Sequence, residues 1–306
     1  MEIGYWILRL VCDLYLVSLC VYIMKKRFFS KILVSLVIGI VAVILVTVGI
    51  DAADNYDNFS QSIIGRVLFG KEAGPCPEGM VFVPTDSGGF CVDQYENSPG
   101  KDCSSLNPAN QNETRDNLDK KDCLPVSVPG VSPWRFISQS QAIAACAKAG
   151  KRLPTGEEWY AASLGTPDPA SGWGADDCQV NANWAESPGP AGSGKNCVSS
   201  AGAYDMIGNV WEWVKEEVRD GKYGEKNLPA NGYINSVDIS GLPLASAVDA
   251  PDPNFNEDYF WIKDTDVRGM MRGGYWENKS DAGLYAVYLV SPPTFAGTGV
   301  GFRCVK

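Results

Sequence analysis

The chain has 306 residues, 45% apolar and 20% charged, with 32 Gly and 19 Pro, so it can bury a sizeable core while keeping much of its length in loops. Its net charge of −10 opposes phosphate backbones and argues against nucleic acid as a partner. Histidine is absent, which removes Ser–His–Asp triads, His acid–base relays and His-ligated zinc or iron.

Residues 1–50 read as a membrane region. Ile32 to Ile50 carry no charge, and a helix of that length spans roughly 28 Å, about the hydrocarbon core of a bilayer. Lys25, Lys26, Arg27 and Lys31 precede it, and Asp51, Asp54 and Asp57 follow. The positive-inside rule therefore puts the basic loop in the cytoplasm and everything beyond residue 51 outside. A weaker apolar stretch, 6–23, carries Arg9 and Asp13. It reads either as a first span or as an extension upstream of a signal anchor that starts at Met24. A cleaved signal peptide is the rival reading, opposed by the long apolar run and the lack of a small-x-small site before Asp51. The expected location is the cell membrane, crossed once or twice, with a linker over 51–74 and an extracytoplasmic domain over 75–306.

Besides Cys12 and Cys20, the chain carries Cys76, Cys91, Cys103, Cys123, Cys146, Cys178, Cys197 and Cys304. An even number in an exported domain reads as four disulfides, although sequence alone leaves many connectivities open. Nearest-neighbour pairing suggests Cys76–Cys91, Cys103–Cys123 and Cys178–Cys197, leaving Cys146 for Cys304. No Cys-x-x-Cys pair occurs, so a zinc site is not expected.

Within the domain, Met80–Val83 and Gly88–Asp93 predict a hairpin across an Asp-Ser-Gly-Gly turn. The polar stretch 97–126 reads as a loop. Ser138 and Gln141 form the pattern of a capping box, followed by Ala142, Ala145, Cys146 and Ala149 on one helical face and closed by Gly150. Thr155 and Glu158 cap a second helix. Residues 164–200 read as a long loop, the chain beyond Trp213 as irregular to about residue 260, and Leu284–Leu289 and Gly299–Val305 as closing strands.

Five short signatures occur in order: GFCVDQYE from Gly89, RLPTGEEW from Arg152, GNVWEW from Gly208, RGGYW from Arg272 and GFRC from Gly301. Together they resemble the formylglycine-generating enzyme (sulfatase-modifying factor) family, whose domain is a variant of the C-type lectin fold. The resemblance implies an α+β, C-type lectin-like domain that is loop-rich, disulfide-stapled and built with two helices, here preceded by the N-terminal transmembrane helix. In that fold the first helix is commonly tied to the last strand by a disulfide, a place that suits Cys146 and Cys304. The family's copper-using enzymes carry a cysteine pair a few residues after Arg-Gly-Gly, and its iron-dependent relatives need histidines. Residues 275–285 hold no cysteine, so no catalytic residue is assigned and neither copper nor iron is expected. The resemblance also implies a structural Ca²⁺ held by the side chains of Asp205 and Glu212 and the carbonyls of Gly208 and Val210. The other reading of Glu212 is an acceptor of backbone hydrogen bonds in a tight turn.

Residues 272–305 have a second resemblance, to the variable region of target proteins diversified by diversity-generating retroelements. In those proteins an Arg-Gly-Gly-x-Trp … Gly-Phe-Arg-Cys frame holds scattered exposed positions that set ligand specificity. Here Arg272, Trp276 and Phe302 are frame. The expected ligand-binding surface is Tyr275, Trp276, Glu277, Lys279, Asp281, Tyr285, Tyr288, Val290, Ser291, Thr294 and Phe295, residue types common at binding surfaces. Alternation along 285–288 also allows one set of these to face the core of a strand. The expected function is a membrane-anchored, extracytoplasmic ligand-binding protein whose partner is a protein or a glycan. The alternatives are an exported oxidase of the formylglycine-generating type and a structural cell-envelope protein.

Overall fold

The structure, a computed structural model, describes residues 75–86 and 88–306. The expected spans at 32–50 and 6–23, the linker and the first two cysteines lie outside these residues. Among the described residues no helix is long and apolar enough to cross a membrane.

The predicted hairpin is present as β1 (Met80–Val83) and β2 (Phe90–Asp93), paired antiparallel with Met80 opposite Asp93. Two short strands, β3 (Ser98–Pro99) and β4 (Pro125–Val126), clasp the base of the next segment. That segment is not all loop, because α1 (Gln111–Asp119) lies inside it. Only Thr114 and Asn117 of α1 are buried, so no apolar period announces the helix. Its legible signal is the cap: the Asn110 side chain accepts from the Asn112 and Glu113 amides. The buried Thr114 hydroxyl is satisfied by the indole N–H of Trp134, which it accepts at 3.1 Å.

The two anticipated helices are α2 (Gln139–Lys148) and α3 (Gly156–Ser163), and both capping boxes form. Ala142, Ala145 and Cys146 are fully buried, and Gly150 follows with φ +67°, the left-handed turn that closes many helices. Gln139, also buried, donates to the carbonyls of Val214 and Glu216 and so ties α2 to the sheet.

The centre of the domain is a nine-stranded sheet. Its strands are β5 (Trp211–Arg219), β6 (Lys222–Tyr223), β7 (Lys226–Asn227), β8 (Gly232–Val237), β9 (Pro243–Ala247), β10 (Tyr259–Ile262), β11 (Val267–Arg272), β12 (Val287–Leu289) and β13 (Val300–Phe302). They run in the order β7-β6-β5-β11-β12-β10-β8-β9, with β13 joined in parallel to β5. The expectation of irregular chain from Trp213 to about 260 is thus wrong. In the outer half of β5, Lys215, Glu216 and Glu217 leave only Val218 buried, and register shifts in β8 break its alternation. The two closing strands are shorter than expected, at three residues each.

The sheet separates two cores. One packs Trp159, Val214, Phe260, Met270, Val287 and Leu289; the other packs Trp134, Trp213, Met271, Phe302 and the Cys146–Cys304 pair. All four disulfides pair as nearest-neighbour reasoning suggested: Cys76–Cys91, Cys103–Cys123, Cys146–Cys304 and Cys178–Cys197.

Candidate functional site: an aromatic cavity beside a buried ion pair

The Arg-Gly-Gly signature sits where β11 ends. Gly273 and Gly274 have φ +91° and +94°, a region L side chains rarely adopt. A Cβ on Gly273 would lie 2.7 Å from the Met206 carbonyl, and one on Gly274 would collide with Ala282. Arg272 is 1% exposed; its guanidinium donates to the carbonyls of Gly241 and Leu284, both at 3.0 Å, and lies over the Trp159 ring. These contacts hold Arg272 buried where β11 ends. They also set the direction of the chain as it leaves β11 towards Tyr275.

Tyr275, Tyr288 and Phe295 line one cavity of about 340 Å³, together with Trp211, Trp261, Met271 and Asn278. Ring centroids of Trp211, Trp261 and Tyr288 lie 5.5–6.2 Å apart, the range of favourable aromatic pairs. The Asn278 side chain accepts the Tyr275 amide at 2.9 Å and fixes the turn that presents the ring. Phe295 stands 40% exposed at the mouth.

The other expected surface positions divide. Glu277, Lys279 and Thr294 are exposed, and Asp281 and Val290 are half-buried. Trp276 and Ser291 are buried, each 8% exposed, which corrects their place on the surface. Trp276 packs edge-on beneath Tyr275 and accepts the Ala182 amide through its carbonyl; the Ser291 carbonyl accepts the Gly269 amide. Tyr285 is not among the cavity's lining residues and packs on Tyr160 and Phe255 against the first core. Trp211, Trp261 and Met271 were not anticipated. For Trp261 the signal is the run Tyr259-Phe-Trp-Ile262, in which both faces of a strand are large and apolar.

A second cavity, about 310 Å³, lies on Thr155, Gly156, Glu216, Leu242, Met270 and Arg272. Several of its polar groups are engaged within the protein, whereas Arg272 Nε is buried without a partner. The Gly156 amide donates to Glu216 at 2.8 Å, and Arg272 holds the two carbonyls already described.

Beneath the sheet, Glu212 and Arg303 form an ion pair with side chains 1% and 0% exposed. Arg303 Nε lies 2.7 Å from Glu212 Oε2 and Nη2 lies 2.6 Å from Oε1; Trp159 adds an indole N–H at 2.8 Å. The remaining N–H groups of Arg303 reach the carbonyls of Asp93, Tyr204 and Asp205. Two of the four residues implied for Ca²⁺, Asp205 and Glu212, belong to this network. Asp205 Oδ1, buried without a partner, is the one feature that suits a cation. Glu212, however, is already chelated by a guanidinium that also holds the Asp205 carbonyl, so the donor set as arranged does not fit a divalent ion. Among the described residues no group of three or more Cys, Asp or Glu side chains is gathered for a metal.

Two pairs of buried carboxylates have consequences for pH. Glu96 is held well above the usual carboxylate range by burial and by Asp205 and Glu212. Burial lifts Asp205 to about 7, with Glu212 adding to it. Asp168 and Asp258 accept the consecutive amides of Leu284 and Tyr285 at 2.9 and 2.7 Å. Burial lifts Asp168 to about 7, and burial with Asp168 nearby holds Asp258 well above its usual range. The folded domain therefore keeps protons that the unfolded chain releases. Stability from these groups is complete below about pH 4 and is lost as pH rises through about 7. Glu158, which Arg152 and Thr155 hold low against its burial, changes protonation only in the acid range and does not offset this. The melting temperature is therefore expected to fall between about pH 5.5 and 8. Asp205→Asn with Asp168→Asn should flatten the trend in a thermal scan; a melting temperature that climbs over that interval would contradict the assignment.

The fold and site thus define a disulfide-stapled α+β domain with an open aromatic cavity. Residues 89–306 match the sulfatase-modifying factor enzyme 1-like domain, and the chain belongs to that family. Similar proteins include the inactive C-alpha-formylglycine-generating enzyme 2 of Bos taurus, 32% identical over 122 residues, covering 35% of this chain and 40% of that one. Hercynine oxygenase of Mycobacterium tuberculosis is 35% identical over 102 residues, covering 30% of this chain and 24% of that one. The chain therefore spans less than half the length of these relatives. Among solved structures, Treponema denticola variable protein 1 is 16% identical with a TM-score of 0.37, covering 75% of this chain and 99% of that one. The Major Tropism Determinant U1 variant is 19% identical with a TM-score of 0.38, covering 76% of this chain and 53% of that one.

Proposed function

We propose that this protein is a non-catalytic, lectin-like member of its family that binds a ligand in the aromatic cavity. The observation that carries the reading is convergence. Three side chains expected at the surface of the Arg-Gly-Gly … Gly-Phe-Arg-Cys frame, Tyr275, Tyr288 and Phe295, line one cavity with two tryptophans. Concave, largely apolar sites with a few polar groups are the usual form of a binding site. The N-terminal anchor would hold the domain outside the cytoplasm, where its four disulfides persist. Support for a role other than oxidase is that all eight cysteines among the described residues are paired, leaving no thiolate there for copper.

The test uses the full chain in detergent with three soluble probes: indole, chitopentaose and arginine amide. At least one is expected to change tryptophan fluorescence saturably, and Tyr275→Ala and Tyr288→Ala should weaken it by roughly tenfold each while the far-ultraviolet spectrum stays unchanged. If no probe saturates and both variants unfold the protein, the rings are core packing and the ligand reading fails. Sequencing the 3′ end of the gene across a population separates diversified from fixed specificity: substitutions confined to codons 275–298 mark the former.

A further inference from the structure

From the cavity a row of aromatic rings continues beyond the C-terminal segment, across strands that no sequence signature covers. Tyr233 on β8 stands opposite Tyr259 on β10; Trp261, two residues along β10, stands opposite Tyr288 on β12; and Tyr288 stands opposite Met271 on β11. Residues two apart share a face of a strand, so these side chains form one row on one side of the sheet. The opposite side carries Phe260, Val287 and Met270 into the core. Ring centroids follow at 5.1 Å from Tyr233 to Tyr259, 4.8 Å from Tyr259 to Trp261 and 6.2 Å from Trp261 to Tyr288. Tyr233, Tyr259, Trp261 and Tyr288 are all half-buried, with part of each ring open to solvent. Followed from centroid to centroid the track covers roughly 16 Å, the reach of about five extended residues.

The rings are not coplanar. Successive planes meet at 82°, 46° and 46°, and Trp211 meets Trp261 at 89°. Such a row offers clefts for side chains more than a flat platform for stacked sugar rings. Its edges are acidic. Burial raises the Tyr233 hydroxyl, and Asp281, Glu257 and Asp249 are close enough to add to the effect. Glu277 lies 3.5 Å from the Tyr275 hydroxyl at the other end. Lys279 is the cation beside Asp281. The cavity itself is lined by no charged residue, and its amide, Asn278, already accepts the Tyr275 backbone. Negative ring faces with a carboxylate rim attract guanidinium and ammonium groups, whereas the uncharged end accepts a bulky apolar side chain.

We propose that the partner is a basic segment of another protein, laid along the Tyr233–Tyr259–Trp261–Tyr288 row, with a large apolar side chain in the cavity and Arg or Lys facing Glu257 and Asp281. This rests on the cavity being the ligand site. It adds the class of partner and brings in residues 233–261, which lie outside the Arg272–Cys304 frame.

The experiment is fluorescence anisotropy on the full chain in detergent, with a labelled pentapeptide alternating Arg and Phe, the same peptide with Glu for Arg, and unlabelled indole and chitopentaose as competitors. The Arg peptide is expected to bind saturably and to weaken as salt is raised to about 0.5 M. Trp261→Ala should reduce its affinity about tenfold. Glu257→Gln with Asp281→Asn should weaken the Arg peptide and reduce the salt dependence of its binding. If the Glu peptide binds as well as the Arg peptide, or if calorimetry shows chitopentaose binding where neither peptide binds, the basic partner is overturned and the cavity reading survives. If nothing binds, indole included, both fall together.

Discussion

Replacing Arg303 with leucine is expected to destabilise the domain by roughly 3–5 kcal/mol, a large fraction of what holds a domain of this size folded. The guanidinium is wholly buried and each of its nitrogens donates within the protein, to Glu212 and to the carbonyls of Asp93, Tyr204 and Asp205. Removing it leaves Glu212 as a buried charge near two further carboxylates, Glu96 and Asp205. It also strips the three carbonyls of their donor. The cost comes from stranding these groups more than from losing the attraction itself. The double variant Arg303→Leu, Glu212→Met removes both charges and should therefore cost less than Arg303→Leu alone. Urea midpoints at constant slope decide the matter. A single-variant loss below about 1 kcal/mol would mean that the pair is not the electrostatic centre of the fold.

The second large effect is expected from removing the Cys146–Cys304 disulfide by Cys146→Ala with Cys304→Ala. The bond closes a loop with a sequence separation of 158 and joins the buried face of α2 to the end of the chain. In the chain-entropy model such a loop restrains the unfolded state by about 5 kcal/mol, against about 3 for the Cys76–Cys91 loop. Both sulfur-bearing residues of the long-range pair are fully buried, so the double variant also loses packing. Measured losses of native disulfides fall at roughly 2–5 kcal/mol. The expected ordering is a greater fall in urea midpoint for Cys146–Cys304 than for Cys76–Cys91. The reverse ordering would place the main restraint in the N-terminal hairpin.

Features decided within a few residues are legible in the amino-acid sequence itself. The capping boxes of α2 and α3 depend on side chains three positions from the amides they meet, and the Cys103–Cys123 pair bridges only 20 residues. The five signatures mark the frame, and the positive φ angles of Gly273 and Gly274 show why two glycines must follow Arg272. Helix α1 escapes notice because it is polar nearly all round and buries two polar residues instead of an apolar stripe. Strands β6 to β9 escape because their alternation is short, exposed or shifted in register.

The sequence by itself thus determined the caps, the family and the absence of histidine chemistry, all readable from composition or local spacing, and it suggested a cysteine pairing that the fold then fixed. Tertiary structure alone decided which rings meet. Trp261 faces Tyr288 only because β10 and β12 pair in parallel across intervening chain, and Trp211 joins them from β5. Likewise Glu212 and Arg303, 91 residues apart, look like two ordinary charges until β13 lies beside β5. Local hydrogen bonds fix the first kind of feature; the pairing of strands distant in sequence fixes the second.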